Sequence, residues 1–217
     1  PHHALEEKIA EWKGTQAALS FANGYATAIG VLGAFLTKGD VVILDKLCHA
    51  SLIDGARQSG ATLRVYPHND LNKLEDLLRH YRERLAGSSR LIVVTESIFS
   101  MDGDRAPLPE IINLVEQHHA LLLLDEAHAV GILGSGGQGL AEELGIQDRV
   151  TFQMGTLGKT IGSGGGYVAA SRSWIDLLLN KARPFIYSTA PPPAQAAASL
   201  CGIEVIASSR GEALRNR

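Results

Sequence analysis

The run LLLLDEAHAVG, Leu121 to Gly131, closes four leucines with Asp125-Glu126-Ala127-His128. Such an acidic box after an apolar strand holds magnesium in many ATP-driven helicases, and GTLGKT (Gly155 to Thr160) half resembles the phosphate loop they need. That loop requires Gly, four residues, then Gly-Lys-Ser/Thr, because its backbone amides must wrap the phosphates. Gly158-Lys159-Thr160 would demand glycine at position 153, which is Gln153, and Gly155 leaves the loop too short. The acidic box also precedes the loop, the reverse of the helicase order. Spacing and order exclude a nucleoside triphosphatase.

A different chemistry uses the same residues. Pyridoxal phosphate needs a lysine for a Schiff base and a carboxylate opposite its pyridine nitrogen. It also needs a donor near its phenolic oxygen, a side chain stacked on its ring, and backbone amides for its phosphate. Asp125 at a strand end, His128 three residues on, and Lys159 in a Gly-rich loop after the next strand supply the first three. Taken singly, each has a blander reading: a helix-capping Asp, a loop His satisfied by backbone, a solvated Lys. Asn23-Gly24-Tyr25, between ALSFA and the helical run ATAIGVLGAFL, reads as a helix N-terminus that favours an anion, or simply as a turn.

Those side chains meet only if strand ends bring them together. Five short apolar runs read as strands: 41–45, 62–67, 91–97, 121–127 and 150–156. Between most of them lie helical spacings. Leu71, Leu74, Leu77, Leu78, Tyr81 and Leu85 fall on one helix face, with Asp70 to cap it and Gly87 to end it. PLPEIINLVEQHHA opens with prolines, as a first helical turn tolerates, and turns Ile111, Leu114 and Val115 inward. Strands that are apolar throughout are covered on both faces. The expected fold is therefore α/β, a three-layer α/β/α arrangement with a mostly parallel central sheet. Ligands of such sheets sit beyond the carboxyl ends of the strands, which singles out Asp45 to His49, Glu96 to Ser100, Asp125 to His128 and Thr156 to Lys159.

Bulk properties narrow the function classes. The 217 residues are 45% hydrophobic and 20% charged, enough for one sizeable core. A net charge of −3 argues against a general nucleic-acid binder, and the run Arg79 to Arg84 is broken by Glu83 on a solvated helix face. No apolar stretch reaches membrane-spanning length. Cys48 and Cys201 lie far apart without metal-ligand spacing, which fits a reducing cytoplasm and no metal. No internal repeat or second-domain boundary appears, so residues 1–217 read as one domain. With Pro1 at one end and GEALRNR at the other, it reads as a piece of a longer protein.

Five segments then act together: LCHASLIDGARQSGA, VVTESIFSMDGDRAPL, LLLDEAHAVGILG, GTLGKTIGSGGGYVAAS and IYSTAPPPAQAAA. In this order they resemble the α-oxoamine synthases, a family of fold-type I pyridoxal phosphate enzymes. The resemblance runs nearly end to end and covers the family's large cofactor-binding domain, without its N-terminal segment and small C-terminal domain. It implies that Lys159 is the Schiff-base lysine and, once released, the base for the substrate's α-proton, its pKa depressed by burial and nearby positive charge. It implies that Asp125 pairs with the pyridinium nitrogen, His128 with the phenolic oxygen, and that His49 stacks on the ring and contacts substrate. Ser100 is implied as a cofactor contact, Gly24, Tyr25 and Thr156 as the phosphate site, and Ser188 and Thr189 as residues reaching a partner subunit's phosphate in a homodimer. Glu126 is expected to face structural contacts, and Glu96 and Asp102 carry no assigned role.

The reaction so implied condenses an amino acid with an acyl-CoA, or an acyl-carrier form, and releases carbon dioxide. VVTESIFSMDGD and RPFIYSTAPPPAQ are most like the biotin-synthesis branch, hence L-alanine and pimeloyl-CoA. Glycine C-acetyltransferase and serine palmitoyltransferase chemistries are the alternatives. Another class of reading is a cofactor-binding domain that does not turn over, because the family's carboxylate-binding arginine belongs to the small domain.

Overall fold

Val42 and Leu44 pack on one side of a central sheet, Val41 and Ile43 on the other. The same division holds along Leu91–Val94, which is why these runs are apolar at every position and not at every second one. Each fully buried Val, Leu or Ile side chain contributes roughly 1.5–3 kcal/mol by leaving water.

The computed structural model describes residues 1–217. Its elements run α1 (His2–Trp12), β1 (Ala17–Phe21), α2 (Gly24–Phe35), β2 (Val41–Asp45), α3 (Ala50–Gln58) and β3 (Thr62–Tyr66). Then come α4 (Leu71–Arg82), β4 (Leu91–Glu96), α5 (Leu108–Gln117), β5 (Leu121–Asp125) and α6 (Leu140–Glu143). A 3-10 turn, Gln147–Arg149, leads to β6 (Phe152–Thr156) and β7 (Gly166–Ala170). Four helices close the chain: α7 (Arg172–Lys181), α8 (Arg183–Ile186), α9 (Pro193–Ile206) and α10 (Ser209–Arg215). No helix is long and apolar enough to cross a membrane.

The seven strands form one sheet in the order β1-β7-β6-β5-β4-β2-β3, with β7 alone antiparallel to its neighbours. Helices α2, α3 and α7 cover one face, α4 and α5 the other, giving the three layers expected. A third cluster joins α1 and α9 to β1 and β7. Helices α2 and α3 cross closely at Gly55, where an added Cβ would stand 2.9 Å from the Ala28 carbonyl oxygen.

Several expectations change in detail. β1 and β7 are additional strands, made of small residues with little β-branching. Asp70 caps α4 by accepting the Lys73 N–H at 2.9 Å. Gly87 does not end that helix: α4 stops at Arg82 and tightens through Arg84 N–H to Tyr81 O, while Gly87 lies beyond with no left-handed φ. On α5, Ile112 is buried with Ile111 and Val115, and Leu114 is only half-buried. β6 begins at Phe152 and not Val150, because the 3-10 turn occupies the preceding residues.

Candidate active site

The parallel register carries chemistry to one level. Glu96, the last residue of β4, pairs with Asp125, the last of β5, and Asp125 pairs with Met154 on β6. Beyond these ends lies a cavity of about 180 Å³ lined by Gly24, Tyr25, His49, Ser51, Glu96, Asp125, Ala127, His128, Met154, Gly155, Thr156 and Lys159. Larger hollows exist, one of about 540 Å³ between α9, α10 and Ile132, but that one is lined mainly by apolar side chains and glycines and gathers no such set. The smaller cavity is where the titratable groups converge.

Asp125 is buried, and its one side-chain hydrogen bond is the Ala127 N–H to Oδ1 at 2.9 Å. Burial raises its pKa, against the pull of that N–H, Lys159 and His49. A buried carboxylate without a bonded cation is suited to a protonated heterocyclic nitrogen. Its neighbour Glu126 turns to the other side. There it meets Lys13 Nζ at 2.6 Å, both wholly buried, and accepts the Ala141 N–H at 3.0 Å. The structural role expected for Glu126 is what the packing gives it.

Lys159 rises from the loop joining β6 to β7. That loop is closed by Leu157 N–H to Gly165 O and Ser163 N–H to Leu157 O, both at 3.0 Å. Gly165 adopts φ +116 beside the Phe21 carbonyl, a conformation that favours glycine. Lys159 Nζ lies 2.6 Å from His128 Nε2. Burial lowers the lysine pKa, while Asp125 and Glu96 oppose the shift. The expected help from nearby positive charge is thus absent; its close charged neighbours are carboxylates. His128 is likewise pushed down, first by burial and then by Lys159 and His49, and so acts as a neutral acceptor.

His49 caps α3. Its Nδ1 lies 2.8 Å from Ser51 Oγ and accepts the Ser51 N–H at 3.2 Å, which fixes the ring against the helix start. At the start of α2, Asn23 Oδ1 takes the Ala26 N–H at 2.8 Å, and the Gly24 and Tyr25 N–H groups have no acceptor within the chain. Two free amides at the positive end of a helix form an anion cradle. Thr156 lines the same cavity, although its hydroxyl donates to Gly165 O at 3.1 Å and accepts the Gly158 N–H. Buried acid, amine, imidazoles and free helix amides in one cavity fit the chemical outline of pyridoxal phosphate.

Not every expected residue arrives there. Ser100 is exposed and does not line the cavity, because the chain turns away after β4. Ser188 and Thr189 are exposed outside this cavity, and Ser188 Oγ bonds Pro184 O at 2.6 Å. Ser51, Met154 and Gly155 join the lining without having been singled out, and Ala127 comes with the strand-end stretch Asp125 to His128. Glu96 also lines it, and its place at a strand end was the available signal.

Comparison with known proteins adds to the geometry. The family model for aminotransferase class I and II matches residues 1–217. An 8-amino-7-oxononanoate synthase from Geobacter sulfurreducens is 49% identical over 100% of this chain and 54% of its own length. Another, from Anaeromyxobacter dehalogenans, is 52% identical over 95% of this chain and 51% of its own. A solved serine palmitoyltransferase from S. paucimobilis, with PLP and myriocin bound, superposes with a TM-score of 0.90 at 32% identity, over 96% of this chain and 51% of that one. The chain spans about half the length of the curated relatives it matches.

Proposed function

Because this chain belongs to the aminotransferase class I and II family, we propose that it is the cofactor-binding unit of a pyridoxal-phosphate-dependent α-oxoamine synthase. The reaction we infer joins L-alanine to pimeloyl-CoA (or its acyl-carrier form), releasing carbon dioxide and the free thiol; that the curated relatives carry the name 8-amino-7-oxononanoate synthase supports this branch. The observation that carries this reading is the opening of Asp125, Lys159, His49 and His128 onto one cavity.

The cofactor, when bound, supplies a conjugated ring that takes up the electron pair released at the substrate's α-carbon. Asp125 would contribute a buried carboxylate to hold a protonated ring nitrogen. Lys159, its proton affinity lowered by burial, would hold the cofactor through its amine and, once released, would accept a proton from the substrate. His128 holds that amine at 2.6 Å. The free amides of Gly24 and Tyr25 take a phosphate, and His49 provides a flat face at the cavity edge. Ser188 and Thr189 are assigned to the corresponding site of a second subunit, and the working location is the cytoplasm.

Adding pyridoxal phosphate, reducing with borohydride and mapping the adduct by mass tests the reading. One adduct at Lys159 is expected, followed by product formation with L-alanine and pimeloyl-CoA. An adduct at another lysine, or none, sinks the assignment; an adduct without turnover leaves this chain only the binding part of it.

A further inference from the structure

Glu96 is 2% exposed at the end of β4, beside another buried carboxylate, in a site whose proposed chemistry does not use it. Ionised, it stands against the cost of removing charge from water; neutral, it is a hydrogen-bonding group like any amide. What it touches explains its place. Oε1 accepts the backbone N–H of His49. Glu96 therefore ties the β2–α3 connection to the end of β4, across the floor of the cavity.

The bond to His49 matters because of how that residue is otherwise held. Its ring is fixed to Ser51 through Nδ1, and its carbonyl accepts the Leu52 N–H at 3.0 Å in the first turn of α3. Glu96 secures the remaining end, the amide. With both ends fixed, the imidazole at the cavity edge has little freedom to turn.

We propose, resting on the cofactor reading above, that Glu96 is a positioning residue whose carboxylate sets His49 and tightens its hold when a cation is placed against Asp125. The groups facing Glu96 decide the direction. They are Asp125 from β5, Lys159 from the β6–β7 loop, and Cys48 and His49 from the β2–α3 connection. Burial first and Asp125 second raise the Glu96 pKa to about 7, so near neutrality the group is divided between its two forms. A positive charge set against Asp125 cancels the repulsion, favours ionised Glu96, and converts a neutral acceptor into a charged, stronger one. Occupation of the cavity is thereby coupled to the orientation of His49.

The test uses the ¹⁵N-labelled chain, with Glu96→Gln keeping an acceptor and Glu96→Ala removing it. In the unaltered chain the His49 amide proton moves downfield as pH rises through about 7, and added pyridoxal phosphate shifts that midpoint to lower pH. Glu96→Gln keeps a bonded amide but loses the titration, and Glu96→Ala loses both. Affinity for pyridoxal phosphate falls about tenfold in Glu96→Ala and less than about threefold in Glu96→Gln. A His49 amide that titrates alike in Glu96→Gln overturns the proposal, as does a Glu96→Ala affinity within twofold of the unaltered chain. If His49 follows Glu96 but the unaltered chain takes up no pyridoxal phosphate, the cofactor reading fails and the coupling with it, while the Glu96–His49 bond itself stands.

Discussion

Lys159 Nζ and His128 Nε2 lie 2.6 Å apart, a separation at which a single proton lies between them. Burial disfavours charge on both, so the pair resolves as one ammonium donating to one neutral imidazole. Replacing Lys159 with Ala removes the only amine in the cavity. Borohydride-stable incorporation of pyridoxal phosphate is expected to vanish, while urea denaturation moves by about 0.5 kcal/mol or less, because the side chain lines the cavity and is not part of the hydrophobic core. An adduct that persists in the variant assigns the amine to a different lysine.

Asp125→Asn separates binding from folding. Burial raises the Asp125 pKa, so the folded chain favours the protonated acid and loses stability as pH rises from the unfolded carboxylate range through the folded pKa. The amide keeps an acceptor for the Ala127 N–H and removes the buried charge. The cofactor-free variant should unfold at higher urea near pH 7, and its affinity for pyridoxal phosphate should fall by at least about tenfold. A variant less stable than the parent at pH 7 contradicts the argument.

His68 carries a pH signature outside the cavity. Its ring is 2.8 Å from Asp45 on one side and 2.8 Å from Asp104 on the other, joining the end of β2 to the loop that leads into α5. Burial lowers its pKa, yet the two carboxylates together outweigh burial and raise it. The protonated ring therefore stabilises the fold fully below about pH 6.5, and that contribution disappears as pH rises through the higher folded value. Denaturation midpoints across this range should decline in the parent more steeply than in His68→Asn; parallel slopes argue against the bridge.

Gly55→Ala probes the α2–α3 contact. The added methyl stands 2.9 Å from the Ala28 carbonyl oxygen and 3.0 Å from Leu32 Cδ1, so the helices must part. A loss of about 1–3 kcal/mol is expected in urea denaturation. Because α2 begins at the cavity, displacement also weakens binding of inorganic phosphate, measurable by calorimetry. A stable variant with unchanged phosphate affinity uncouples that contact from the site.

The sheet was legible wherever its strands are buried on both faces. LIVVTE and VVILD are apolar at every position and each divides its side chains between the two layers. AALSF and GYVAA are strands of the same sheet built from small residues, and their pairing with each other, Ala17 to Ala170 through Phe21 to Gly166, is a long-range property that no local pattern carries. The cavity was legible through residues with chemistry to offer: Asp125, Lys159, His128, His49, Gly24, Tyr25 and Thr156 all reach it. Ser100 did not, since a strand end locates a residue but not the direction the chain takes afterwards. Met154 and Ala127 contribute only surface, and surface has no signature in sequence. The expectation of a cationic neighbour for Lys159 failed because the parallel register lifts Glu96 and Asp125 toward the amine.

β7 runs against the six other strands, and this reversal decides how the lysine is carried. Lys159 hangs from a hairpin stitched to the sheet on both sides, where an ordinary crossover would leave one side attached only through a helix. An amine on such a tether sweeps a short arc. On the proposed chemistry, releasing and recapturing a small molecule would then ask only for side-chain torsions, with the ribbon beneath it unmoved.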